Sequence, residues 1–217
     1  GYLAKLLGLP VGMLICASNA NNVLEDFINT GTYDKRRPLH KTESPSMDIL
    51  VSSNLERLLY LLSGDTALVA GLMRQLNTDG VYTVPAALLE KIQSQFWGFH
   101  CGDVRAHVNI GRCWEDHHYL MDTHTATGWA VAEEYVSQTG DHRPMVVLST
   151  ASPYKFPAAV LEALGGDLSG DEFDQMEQLQ AICGMPIPKN LAQLREKEAR
   201  HLDVIGKEGM LAFVLKR

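Results

Sequence analysis

An α/β fold is predicted for this 217-residue chain by three observations. Two apolar runs have the length of buried strands, "VGMLICAS" (residues 11–18) and "PMVVLST" (residues 144–150). Each is followed, across a short turn, by an amphipathic helix, which is half of a parallel βαβ unit. The rest of the chain carries helical patterns with caps and stops but few further strand signals. The sheet is therefore expected to be incomplete for the chain length, with helices flanking it.

The elements follow in order. "GYLAKLLGLP" reads as the last turns of a helix: Leu3, Leu6 and Leu7 have helical spacing, Gly8 supplies a stop and Pro10 blocks continuation. It has no N-cap and starts at Gly1 rather than at Met, so the helix is expected to begin upstream. The first strand ends at "NANN". "NNVLEDFINTG" is then a helix with Asn at its start and Gly31 at its end. Residues 32–48 have no useful periodicity and are expected to form a long loop, of the kind that is usually functional or mobile. "SSNLERLLYLLSG" is a helix capped by Ser or Asn, with Leu55, Leu58, Leu59 and Leu62 on one face.

Residues 65–99 are mainly helical with a break at "NTDGVYTVP", and read as a helical insertion between sheet elements. "DTHTATGWAVAEEYVSQTG" is the next clear helix, with Asp122 or Thr123 near its cap and Gly140 beyond its end. After the second strand comes the helix "FPAAVLEAL", and the tail from Leu191 alternates helices with short apolar stretches. No internal repeat or low-complexity segment is present.

Composition narrows the function classes. Hydrophobic content of 46% and charged content of 21% are those of an ordinary globular protein. A net charge of −7 argues against a general nucleic-acid binder, because neutralising phosphates needs a basic face, and the one basic stretch, "YDKRRPLHK", is short. No apolar run approaches the ~18 residues of a membrane span. Cys16, Cys101, Cys113 and Cys183 are irregularly spaced, which predicts reduced thiols and a cytoplasmic setting rather than a disulfide framework.

Three constellations are candidates for chemistry. Ser149 and Thr150 are adjacent hydroxyls at the carboxyl end of the second strand, where ligands of open α/β sheets bind. Taken alone, they read rather as hydrogen-bonding groups of the following turn. Asn19, at the end of the first strand, reads equally as a turn residue or a ligand contact, while Asn21 or Asn22 caps the helix. The segment "HCGDVRAHVNIGRCWEDHHYLMDTH" holds His100, Cys101, His107, Cys113, His117, His118 and His124, but lacks CxxC and HExxH spacing. No metal is expected there, and the histidines read as surface residues on a helix and its flanks. GxGxxG, GxxxxGK[ST] and GxSxG are all absent, which removes a nucleophile elbow.

Four stretches together carry a resemblance. "ASNANNVLEDFINTGTYD", "SPSMDILVSSNLERLLY", "LMDTHTATGWAVAEEY" and "LSTASPYKFPAAV" occur in this order in threonine synthases of the longer, bacterial and fungal type. The resemblance covers nearly the whole chain. It implies a portion of the tryptophan-synthase-like, fold-type II sheet of enzymes that use pyridoxal 5′-phosphate (PLP). Two positions depart from the family pattern, which commonly has Pro at Thr123 and His at Ser152.

The resemblance implies that Thr150, with Ser149 as the fallback, faces the pyridine nitrogen of PLP. It also makes Asn19, Ser46, Asn54 and Lys155 candidates for the substrate wall. The reaction implied converts O-phospho-L-homoserine and water into L-threonine and phosphate. The family's cofactor-linking lysine and its glycine-rich phosphate loop lie ahead of the helix with which this chain begins, and no lysine here matches. The chain therefore reads as a carboxyl-terminal portion with no catalytic residue of its own. Alone it is expected to be inactive and not to bind PLP, and its expected macromolecular partner is its own amino-terminal part. The alternative reading is a non-catalytic binding or regulatory module, metal-linked through the His/Cys segment 100–124.

Overall fold

The structure, a computed structural model, describes residues 1–216. A short helix α1 (Tyr2–Leu6) leads to strand β1 (Leu14–Ser18) and helix α2 (Val23–Thr30). Helix α2 stops at Gly31, whose φ of 77° lies in the left-handed region that a residue without Cβ adopts at no steric cost. Strand β2 (Thr32–Asp34) opens the long loop, which contains one 3₁₀ turn (Pro45–Met47) and ends at α3 (Leu55–Ser63). Helix α4 (Thr66–Thr78) is capped by Asp65, whose carboxylate accepts from the Leu68 amide.

The predicted break after α4 is strand β3 (Val81–Thr83), followed by α5 (Ala86–Gln93) and strand β4 (Phe96–His100). The second half is helical: α6 (Asp103–His117), α7 (Thr123–Thr139), α8 (Pro157–Ala163), α9 (Glu172–Cys183), α10 (Lys189–Ala192) and α11 (Met210–Leu215). No described helix is long and apolar enough to cross a membrane.

β1 pairs in parallel with β4, from Leu14 opposite Phe96 to Ser18 opposite His100. β2 and β3 form a separate antiparallel ribbon, with Tyr33 opposite Tyr82 and their rings stacked. Alternation along β1 and β4 sends side chains to two faces. Ile15, Ala17, Trp97 and Phe99 pack on a core built by α6, α7, α8 and α9. Cys16 and Phe96 pack on a second core built by α2, α3, α4 and α5 with the β2–β3 ribbon. Gly98 lets α2 approach β4, since a Cβ there would stand 3.1 Å from the Glu25 Cα. The α/β expectation holds, with small sheets and dominant helices.

The second predicted strand does not form. Residues 144–150 have no ladder partner among the described residues, and Val146 and Leu148 are 81% and 75% exposed. A strand exists only by pairing its backbone, so an apolar run without an available edge remains extended chain. Here it lies along α7, where Val147 approaches Gly128.

Candidate functional site

The site is built on the carboxyl ends of β1 and β4 and the amino end of α7. Beyond Ser18 the chain turns at Asn19, which is 1% exposed. The Asn19 Nδ2 has two hydrogens and four acceptors in reach: Thr42 Oγ1 at 2.8 Å, Asp48 Oδ1 at 2.8 Å, Ser44 Oγ at 3.0 Å and the Ser44 carbonyl at 3.3 Å. Its Oδ1 accepts from the Asn21 amide at 2.9 Å. Asn21 adds donors to the His40 carbonyl and Asp48, and Asp48 accepts from the Thr42 amide and hydroxyl. Residues 40–48 are thus an ordered loop wrapped on two buried asparagines.

That loop is carried to α7 by one bond. The Ser46 amide donates to His124 Nε2 at 3.1 Å, so Nε2 is the acceptor nitrogen. The other ring nitrogen, Nδ1, lies 2.9 Å from Asp122 Oδ1 and is therefore the donor. This pair of bonds fixes a neutral imidazole in one tautomer. Phe156 packs against the ring at 4.8 Å between centroids.

The Asp122 carboxylate is fully buried and compensated entirely by donors. It caps α7 by accepting from the His124 amide at 2.9 Å, binds the imidazole, and takes a short hydrogen bond from the Thr125 hydroxyl. The positive end of the helix dipole adds to this stabilisation. The cluster continues outward, because Ser149 Oγ lies 3.3 Å from both the Thr125 and Tyr119 hydroxyls. Thr150, next along, is exposed and its hydroxyl has no partner among the described residues. A continuous polar chain therefore runs from the buried loop through His124 and Asp122 to an open hydroxyl edge.

The predicted site residues distribute as follows. Asn19 and Ser46 belong to the same loop assembly, Asn19 through its side chain and Ser46 through its backbone. Ser149 joins the cluster through Thr125, and Thr150 adjoins it. Lys155 is exposed in the 3₁₀ turn between Ser149 and α8. Asn54 is exposed at the start of α3, and no contact among the described residues joins it to this cluster.

Sequence reasoning missed Asp122 and His124 as site residues. His124 is a buried histidine, 8% exposed, and not the surface residue expected. A DxHT pattern at a helix start was the available signal, because a cap carboxylate two residues before a histidine can hold its ring. Thr123 uses its hydroxyl to donate to the Glu43 carbonyl at 2.6 Å, a second tie between α7 and the loop. The cysteines are free, and burial pushes the Cys16 and Cys101 thiols up to about 11, so neither is a nucleophile near neutrality.

Comparison with known proteins gives concordant matches. The family model "Threonine synthase, C-terminal" matches residues 125–210. Threonine synthase from Pseudomonas aeruginosa is 36% identical over 201 residues, 92% of this chain and 39% of the relative. Human threonine synthase-like 1 is 40% identical over 163 residues, 74% of this chain and 22% of the relative. Among solved structures, PLP-bound threonine synthase from Brucella melitensis superposes with a TM-score of 0.77 at 36% identity, over 91% of this chain and 38% of that one. Yeast threonine synthase superposes with the same TM-score at 30% identity, over 91% of this chain and 40% of that one. The chain spans less than half the length of each of these proteins.

Proposed function

We propose, on the premise that this chain is homologous to the carboxyl-terminal portion of threonine synthases, that the protein carrying it converts O-phospho-L-homoserine and water into L-threonine and phosphate. The observation that supports this best is the open hydroxyl edge at Ser149–Thr150, held against a buried, ordered polar cluster in a chain with this similarity. PLP, when bound, supplies the electron sink that lets protons move at Cα and Cβ of the substrate.

The residues of this chain fit one side of such a cofactor. Thr150 offers a hydroxyl with no other partner among the described residues, and it would meet the pyridine nitrogen. A hydroxyl is neutral, so unlike a carboxylate it does not hold that nitrogen protonated. Ser149 is the fallback, but its hydroxyl already has Thr125 and Tyr119 within reach. Asp122 and His124 act indirectly, fixing the loop that presents Ser46 and keeping the wall rigid. Asn19, Ser46, Asn54 and Lys155 remain the proposed substrate wall, with Asn19 shaping the loop. The cofactor-linking lysine is assigned to a segment outside these 217 residues, so the chain by itself is expected neither to hold PLP covalently nor to turn over.

The test is a pair of substitutions in the full-length protein, read by turnover and by the absorbance of the bound cofactor. Thr150→Val keeps the shape and removes one neutral hydrogen bond, worth about 1–3 kcal/mol in a buried site. Expressed fully in the transition state, that loss slows turnover roughly 5- to 150-fold. Ser149→Ala is expected to be milder. Normal turnover and spectrum in Thr150→Val, with both lost in Ser149→Ala, would move the contact to Ser149.

A further inference from the structure

Away from this cluster, three ligating side chains from three separate segments converge. Glu43 comes from the long loop, His107 from α6 and Glu162 from α8, and one ligand atom of each lies within 4.8 Å of the other two. His107 Nε2 and Glu43 Oε2 are in direct contact. Both side chains are half-buried, at 21% and 34% exposure, whereas Glu162 is exposed, so the cluster opens to solvent on the Glu162 side. Glu43 is held in place from its backbone: its carbonyl accepts from Thr123 Oγ1, and its amide approaches Asp103 Oδ1 at 3.4 Å.

The charge balance here is unusual. Two carboxylates stand beside one imidazole, Glu43 in contact with it and Glu162 within 4.8 Å, and neither is paired with a Lys or Arg among the described residues. The contacts of Glu25 with His100 and of Asp122 with His124, by contrast, each bring one carboxylate to one imidazole. A third ligand drawn beside an existing pair adds like-charge repulsion unless a cation is taken up.

We propose that Glu43, His107 and Glu162 form a site for one divalent transition-metal ion of the zinc class. One imidazole nitrogen and two carboxylate oxygens are a donor set for such ions, whereas magnesium and calcium prefer all-oxygen cages. Three protein ligands leave at least one position open to water. The ion would join the long loop to α6 and α8. Through the same loop it would stiffen the Ser46–His124 contact that borders the candidate site. This assignment does not rest on the proposed reaction. The spacing search within the His/Cys segment could not find it, because only His107 of that segment takes part and both carboxylates come from elsewhere.

The experiment is calorimetric titration of the full-length, chelator-treated protein with zinc, and with magnesium as the contrasting ion. The expected result is saturable binding of one zinc ion and at least 10-fold weaker magnesium binding. Glu162→Gln should weaken zinc at least about 10-fold, since outer-shell changes alone cost 10- to 100-fold. That variant is chosen because Glu162 is exposed and lies outside the Glu43–His107 contact, so an unchanged far-ultraviolet dichroism spectrum is expected. His107→Ala should abolish stoichiometric binding. Absence of stoichiometric zinc, or zinc bound equally well by both variants and therefore adventitious at other histidines, would overturn the proposal and leave Glu43–His107 as an ion pair only.

Discussion

Asp122 concentrates the physical chemistry of the site in one residue. A carboxylate with no solvent exposure survives only if its charge is met by donors, and here the His124 amide, the His124 ring and the Thr125 hydroxyl all point at it. Asp122→Asn keeps the shape but replaces an acceptor oxygen with an NH₂ that faces donors. Hydrogen bonds to charged groups contribute about 1.5–3 kcal/mol each, so a loss of at least that size is expected in urea unfolding. A change under ~0.5 kcal/mol, the range of an ordinary surface substitution, would mean that the cluster is not the anchor described. At this scale the sequence was half legible. The hydroxyl pair and Asn19 stand out because polar residues end apolar runs. The Asp122–His124 dyad does not, because a cap carboxylate and an exposed histidine look the same as a buried pair until the loop of residues 40–48 is laid over them.

Helix α7 shows what an element's own signals can and cannot say. Its span was readable from the Asp122 cap, the apolar pattern and Gly140, which ends it at φ 66°. Its partner was not: Thr123 at the first helical position binds the loop through its side chain. Thr123→Val should cost about 0.5–1.5 kcal/mol by removing that bond. Thr123→Pro should recover part of the loss, because proline at the first helical position has its φ set in advance and forfeits no intrahelical bond. Equal stability of wild type and Thr123→Val in thermal unfolding would show that the tie to Glu43 contributes nothing.

The strand assignments went astray for a related reason. "FWGFH" sits in a helical stretch, yet becomes β4 because β1 offers it an edge. "PMVVLST" has better strand composition but no paired edge among the described residues. Helix α9 was passed over although its signal is local, a capping box in which Asp171 and Asp174 satisfy each other's backbone amides.

Across the whole molecule, two cores on opposite faces of a two-stranded parallel ribbon hold the loop of residues 40–48 against the start of α7. The layering was legible from the βα order. The small sheet was foreseen, and the origin of its second strand was not. Apolar side chains stay exposed at Leu7, Val146, Leu148 and Val204, the last of these 96% exposed. The central proposal is that this chain forms one wall of a threonine synthase. It is tested most directly by incubating the full-length, PLP-loaded protein with O-phospho-L-homoserine and measuring L-threonine and phosphate together. The account predicts equal amounts of the two, formed at matching rates. Consumption of no substrate, or phosphate released without threonine, would contradict it.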